Sequence, residues 1–374
     1  MTERVVVTNS ELASLRNCEM RHFMRYELGR RKEYEGTRAM KVGSIAHLAL
    51  QQVYRRMKVE PRTPIDVLKQ IGEETVRDFI ERESFATIFA PADYVAEMDG
   101  LANATVSVVR CYVDTITRED QGRRLRVVAV EQPFLVRLRD EKGHAHGQVW
   151  LEGVIDLLLA TEKRALILRD HKFTQSDAHS YDLQFALNTQ LPLYGYALRE
   201  LGVRWGGSAQ LAVVKQKPVS LPKWTKKGLV SAAVIETTRQ IYERELKVQE
   251  AKGIPRTESQ VRLLAQLPQD RRRWVCVHDH WYGADVIQRV QREAYAGARL
   301  IRLHRRGEVA RRRNPSSCAH RDCAYRDACV VTREEERMQI LEEDFVLRKQ
   351  RHPEVDGDRW TYDTQTLPLF GGSK

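Results

Sequence analysis

The stretch Val149–Lys172, reading VWLEGVIDLLLATEKRALILRDHK, limits what this chain can fold into more than any other. Leu151–Leu159 and Ala165–Leu168 are apolar runs separated by the polar Thr161-Glu162-Lys163-Arg164, which reads as two buried antiparallel strands and their turn. A turn centred near Lys163 sets Asp156 opposite Asp170. Lys172, two residues on, shares their face because strand side chains alternate. Two carboxylates and a lysine on a buried hairpin break the core rule, since an unpaired buried charge is costly unless it is partnered or binds a cation. Paired carboxylates suit Mg2+ or Mn2+, and a lysine beside them can orient a water or neutralise developing charge. The hairpin alone also allows a plain salt bridge at a strand end.

The charge balance points to a polyanionic partner. Lys and Arg number 62 against 51 Asp and Glu, for a formal net charge of +11. Basic clusters occur at Arg30-Arg31-Lys32, Arg271-Arg272-Arg273, Arg305-Arg306 and Arg311-Arg312-Arg313. One such cluster is usually a solvated helix face; several together suggest a surface that tracks phosphates. No apolar run approaches the ~20 residues of a membrane span, and MTERVVVTNS is too polar for a signal peptide, so a cytoplasmic protein is expected. In that reducing compartment the cysteines are metal ligands or buried thiols rather than disulfides.

Taken in order, Asn9 or Ser10 caps a helix that carries Cys18 and stops at Gly29. Gly43-Ser44 starts a second, with His47 among Ile45, Leu48 and Val53. Residues 64 to 117 read as helical, broken near Pro91, with no chemical motif. Leu125–Val130 and Pro133–Leu138 read as strands with Glu131 between them. After the hairpin, Asp182–Leu201 is helical, with Pro192 kinking it or opening a second segment. Ala209–Val214 is a strand, and Leu229–Lys252, Ser259–Leu267 and Tyr282–His304 show helical periodicity. Trp274 and Trp281 bracket VCVHDH and serve either the core or base stacking. Cys318, Cys323 and Cys329 in CAHRDCAYRDAC mark a metal site that lacks a fourth ligand.

Gly153-x-Ile155-Asp156 followed by Asp170-x-Lys172 resembles the PD-(D/E)XK nuclease superfamily, in particular its RecB-like branch. Gly43-x-x-x-His47 and Gln190-x-x-x-Tyr194 resemble that branch's flanking motifs, in family order. The resemblance implies an α/β, restriction-endonuclease-like fold, a mixed central sheet flanked by helices. It implies a Mg2+- or Mn2+-dependent DNA exonuclease of repair or recombination, similar to CRISPR-associated and phage-type members. His47, Asp156, Asp170 and the main-chain carbonyl of His171 would bind the metal, Lys172 would position the water, and Gln190 and Tyr194 would orient the substrate. Glu131 would be an auxiliary ligand. The iron-sulfur members take one cysteine before the histidine motif and three near the C-terminus, so Cys18, Cys318, Cys323 and Cys329 would hold a 4Fe-4S cluster joining the helical N- and C-terminal portions. Here four residues separate the first two C-terminal cysteines where the family commonly has two. Zinc is the competitor, with His320 able to replace one cysteine.

The implied organisation is N-terminal helices over 1–60, a helical insertion over 61–120, the nuclease core over 121–225, a C-terminal helical region over 226–335 and a charged tail over 336–374. In that tail Gln365-x-Leu367-x-Leu369-Phe370 resembles the peptide that docks on bacterial sliding clamps. The rival reading is a catalytically silent DNA-binding or assembly subunit.

Overall fold

The computed structural model describes residues 4–31, 38–85, 92–140, 142–217, 219, 222–233, 237–269, 271–319, 323–347 and 360–361. The strands in chain order are β1 (Val5–Val7), β2 (Arg30–Arg31), β3 (Arg126–Arg139), β4 (Ala145–Ala160), β5 (Leu166–Thr174), β6 (Ser208–Lys215), β7 (Val275–Trp281), β8 (Val346–Leu347) and β9 (Trp360–Thr361). Among the described residues seven of them form one mixed sheet in the order β7-β6-β5-β4-β3-β9, with β1 also on β4, while β2 and β8 pair separately. Helices flank this sheet, as expected of the α/β class.

The β4–β5 hairpin has the register its turn predicts, running from Ala160↔Leu166 to Leu157↔Arg169. There the ladder ends. Along its other half, the same edge of β4 pairs with β1, from Val5↔Val149 to Val7↔Leu151. Residues 152 to 156 therefore lie where the edge passes from one neighbour to the other, and Asp156 is the last of them. The alternation of β4 also slips here. Ile155 and Leu158 sit in the same core although three residues apart, while Leu157 faces the opposite core.

The two strands expected around Glu131 are one, β3: Glu131 takes a left-handed backbone (φ 44°), yet the register on β4 runs unbroken through it, and the nearest bulge lies between Val127 and Ala129. Its neighbours Val130 and Gln132 pair with Leu157 and Ile155, which flank Asp156. Two adjacent strands thus depart from regular pleating at one level of the sheet.

The helices are α1 (Asn9–Asn17), α2 (Glu19–His22), α3 (Arg38–Val59), α4 (Ile65–Phe85), α5 (Ala92–Tyr112), α6 (Arg118–Gly122), α7 (Asp182–Ala186), α8 (Gln190–Glu200), α9 (Arg239–Ala251), α10 (Glu258–Gln266), α11 (Ala284–Arg305), α12 (Pro315–Ala319), α13 (Arg326–Val330) and α14 (Glu334–Glu343). The cap of α1 is Thr8 rather than Asn9 or Ser10, its side chain accepting a hydrogen bond from the Glu11 amide at 3.1 Å. The helix breaks at Cys18, which is extended, and α2 runs into a π-turn over 23–27 before Gly29 (φ 64°). Helix α3 begins five residues before Gly43. Pro192 falls in the first turn of α8, the second of the two placements open to it, where the missing N–H costs nothing.

The expected helix from Leu229 starts only at Arg239, where Thr238 caps it; Val230 instead bridges to Trp224. The buried amides of Gln249 and Gln260 hydrogen-bond the Val230 backbone, so this segment is held by side chains and not by helical pairing. One face of the sheet packs on α3, α4 and α5 through Leu157, Leu159, Ile167, Ala212 and Val214. The other packs on α1, α8 and α11 through Leu151, Leu158, Leu168 and Leu211. Trp274 is fully buried and belongs to the protein interior, whereas Trp281 is 66% exposed.

Candidate active site

Helix α3 lays an apolar stripe, Val42, Ile45, Ala46, Ala49 and Val53, on the sheet, and this fixes the rotation that brings His47 over the strands. His47 Nδ1 lies 3.6 Å from Asp156 Oδ2 and 3.7 Å from Glu131 Oε1. One donor atom from each of the three lies within 4.8 Å of the others, the spacing of a shared cation. The irregular backbone at Glu131 and the slip at Asp156 turn both carboxylates toward α3. Burial alone would lower the imidazole's pKa, but Asp156, Glu131 and Asp170 outweigh it and raise it to about 9. Burial, and then the Asp170 charge, push Asp156 well above the usual carboxylate range. His47 and Lys172 pull Asp156 down but do not offset its burial and the neighbouring carboxylates.

Asp170 adjoins this trio but is engaged elsewhere. Its Oδ1 accepts hydrogen bonds from Gln190 Nε2 at 3.0 Å and Lys172 Nζ at 3.3 Å. Its Oδ2 is buried without a hydrogen bond, although Lys172 Nζ approaches to 2.9 Å. The imidazole, the three carboxylates and this unsatisfied oxygen make a nitrogen–oxygen donor set that fits Mg2+ or, with a histidine present, Mn2+. Burial pulls Lys172 down, but Asp170 and Asp156 raise it above its ordinary value, so it is a protonated donor.

Gln190 therefore turns to a carboxylate, and Tyr194, one turn along α8, packs behind the strands. Its ring meets Phe134 edge-on at 5.1 Å. Gly153 is the reason both rings fit: a Cβ there would sit 2.6 Å from Phe134 Cζ and 2.9 Å from Tyr194 Cε1. Gly43 meets no such constraint, its nearest neighbour being Phe173 at 4.0 Å. The His171 ring, 5.7 Å from that of His47 between centroids, places Nδ1 2.9 Å from the Tyr112 hydroxyl and stacks on Tyr54. Its backbone amide donates to Asp156 Oδ2 at 3.1 Å, closing the gap left by the ladder.

Behind the site lies a feature the sequence reading missed. Arg169, 1% exposed, makes two hydrogen bonds to Asp120 at 2.6 and 2.8 Å and two to Gln210 at 2.9 and 2.5 Å, and Tyr54 also donates to Asp120. Asp120, just past the helical stretch 64–117, joins Tyr54 and Tyr112 in bolting α3, α5 and α6 to the site strand. The only sequence signal was an arginine inside an apolar strand.

Cys18, Cys318, Cys323 and Cys329 also come together, at the contact between α2 and the C-terminal helices. Burial first, then the sulfurs of Cys323 and Cys18, hold Cys318 above the usual thiol range, and Cys318 hydrogen-bonds Cys323. Cys329 is raised in the same way, with Cys18, Cys318 and Cys323 all contributing. All are free thiols. No three of these sulfurs lie within 4.8 Å of one another, the spacing at which His47, Glu131 and Asp156 could share one cation. Cys111 and Cys276 lie apart from them, Cys111 near the end of α5 at the edge of the core, where burial raises it to about 11, and Cys276 on β7.

The same contact contains a dense ionic tie. Glu19 pairs with Arg312 at 2.8 Å, Glu27 with Arg311 at 3.0 Å, and buried His22 lies between Glu11 and Glu27 at 3.2 and 3.3 Å. Two arginines of one basic cluster, and Arg273, paired with Asp177, are thus committed within the protein. His320 and the Gln365–Phe370 peptide lie outside the described residues. Among the described residues no helix is long and apolar enough to cross a membrane.

A family model described as the PD-(D/E)XK nuclease superfamily matches residues 6–330. The chain belongs to that superfamily. The match spans both the hairpin motif and the three C-terminal cysteines, and the mixed sheet agrees with the superfamily's fold. Membership supports metal-dependent hydrolysis of phosphodiester bonds. No curated protein matches the chain.

Proposed function

We propose that this member of the superfamily is a Mg2+- or Mn2+-dependent DNA exonuclease of the RecB-like type, acting in DNA processing, repair or recombination. The observation that carries the reading is the meeting of His47, Glu131 and Asp156 beside Asp170 and Lys172, inside the family match. His47, Glu131, Asp156, Asp170 and the His171 carbonyl would hold the ion. When bound, a divalent cation supplies Lewis acidity to the scissile phosphate and lowers the pKa of a water. Lys172, held protonated by Asp170, donates a hydrogen bond that orients that water and offsets charge growing on the phosphate. Gln190 fixes Asp170, and Tyr194 fixes the Gly153 turn of β4; both act as positioning residues.

The four thiols would hold a 4Fe-4S cluster that ties the chain ends structurally, with zinc as the competing occupant. Iron and sulfide by elemental analysis, with broad visible absorbance near-stoichiometric to protein, support the cluster; zinc without iron overturns it. The tail peptide would recruit a bacterial sliding clamp through Gln365, Leu367, Leu369 and Phe370, checked by binding of that peptide against a variant with Leu369 and Phe370 changed to Ala.

The main test is a time course on end-labelled linear and on circular DNA with Mg2+ or Mn2+. Linear DNA is degraded from its ends and circles survive. Cleavage of circles makes it an endonuclease, and no cleavage of single- or double-stranded DNA returns the silent-subunit reading.

A further inference from the structure

One stripe of α3 does more than deliver His47. Ser44, Leu48 and Gln51 lie three, one and four residues from it, on the same side of the helix, and with Ile45 they line a cavity of about 350 Å³. Phe79 of α4 forms the opposite wall, and Glu131 and His47 close one end. The cavity is apolar on its walls and opens onto the candidate cation ligands. Its volume falls at the low end of small-ligand pockets, about 300–1,000 Å³.

Gln51 is the informative residue. It is only 7% exposed, yet its amide has no hydrogen-bond partner among the described residues. Its Oε1 and Nε2 are not among the sealed, unpartnered atoms of the interior, so the amide meets the open space of the cavity, where a bound group would engage its donor and acceptor. Phe79 is half-buried and offers a ring to the same space. An aromatic wall, aliphatic neighbours and one amide with both donor and acceptor match the face and edge of a heterocyclic base.

We infer that this pocket receives the nucleobase of the nucleotide bearing the scissile phosphate, stacked on Phe79 and hydrogen-bonded at its edge by Gln51. The inference rests on the nuclease reading for the position of that phosphate. It makes the substrate class an unpaired nucleotide: a base in duplex DNA cannot enter without leaving its partner. Single-stranded DNA, or a duplex end already opened, is then the form the enzyme accepts.

The experiment uses the full-length protein with Ca2+, so that binding is read apart from turnover. Single-stranded oligonucleotides carry either a base or an abasic site at each position in turn. Wild-type protein binds about tenfold more weakly when one particular position is abasic, a loss within the range of base–aromatic stacking. Phe79→Leu, which keeps the apolar packing, loses the same tenfold on intact DNA and nothing further on that abasic DNA; Gln51→Leu follows the same pattern with a smaller loss. Equal wild-type affinity for intact and abasic DNA at every position overturns the inference. So does a Phe79→Leu loss that is the same on both DNAs, because that is a structural effect. Base-dependent binding without cleavage in Mn2+ upholds the pocket and removes the nuclease reading.

Discussion

Arg169 and Asp170 are neighbours on β5, and the protein surrounds them oppositely. Arg169 faces the α3–α6 side, where Asp120 matches it in charge and Tyr54 and Gln210 complete its hydrogen bonds. Asp170 takes hydrogen bonds from Gln190 of α8 and from Lys172 on one oxygen, is close enough to Asp156 for their charges to oppose each other, and keeps its other oxygen without a hydrogen bond. One cluster is closed and balanced; the other is left needing a cation. Strand alternation makes this possible within a single step of the chain, so a rigid, neutral anchor can sit directly behind a strained, acidic opening.

The largest test of that contrast is on the anchor. Arg169→Met strands the Asp120 carboxylate and costs about 3–5 kcal/mol in urea unfolding, the usual result of breaking one partner of a buried pair. Arg169→Met with Asp120→Leu recovers most of the loss. A single variant within about 1 kcal/mol of wild type would show that the network is solvated and not an anchor.

The acidic side reverses the sign. In EDTA, Asp156→Asn relieves repulsion from Asp170 and stabilises the protein by on the order of 1 kcal/mol, roughly one pKa unit of like-charge coupling. Adding Mn2+ raises the melting temperature of wild type more than that of the variant. Destabilisation in EDTA instead would erase the difference between the two sides.

The smallest effect concerns a third buried cluster, which balances only when protonated. Burial lowers His22, but Glu11 and Glu27 together raise it above 6.5. A group raised on folding contributes stability that is whole below pH 6.5 and fades as pH climbs through the folded value. Between wild type and His22→Gln, the difference should shrink over that window by under about 1 kcal/mol. A difference that grows with pH means that the imidazole is neutral and the cluster unlike the Arg169 one.

Much of this could be read from the sequence where the physics is local. The hairpin register followed from the polar turn at Thr161–Arg164, and the place of Pro192 from its missing N–H. From its own residue type Glu131 read as a charge at a strand end, and only the family resemblance made it an auxiliary ligand, because its left-handed backbone and the slip at Asp156 arise from how β3 and β4 fit each other. Strict alternation set Asp170 beside Asp156; it carried no sign that Glu131, opposite Asp156 on β3, lies beside His47 as well. Asp120, Tyr54 and Tyr112 were silent for a similar reason: their meaning lies in Arg169 and His171, which only tertiary packing brings near. The sequence from Leu229 carried a helical pattern, but Gln249 and Gln260 take up both backbone groups of Val230.

The tie between α2 and the C-terminal segment has a consequence for how the molecule is made. Glu19 and its partner Arg312 are 293 residues apart in the chain. At about 5–20 residues per second, translation takes roughly 15–60 s to deliver the second after the first. During that time Glu19 and Glu27 lack their arginines and Cys18 lacks the other three cysteines, while the hairpin and the α3–α6 layer gain their sheet partners, the last of them on β7, before Arg311 is made. The order of synthesis thus sets the order of assembly, and the contact between α2 and the segment that begins at Arg311 is the last of these to form.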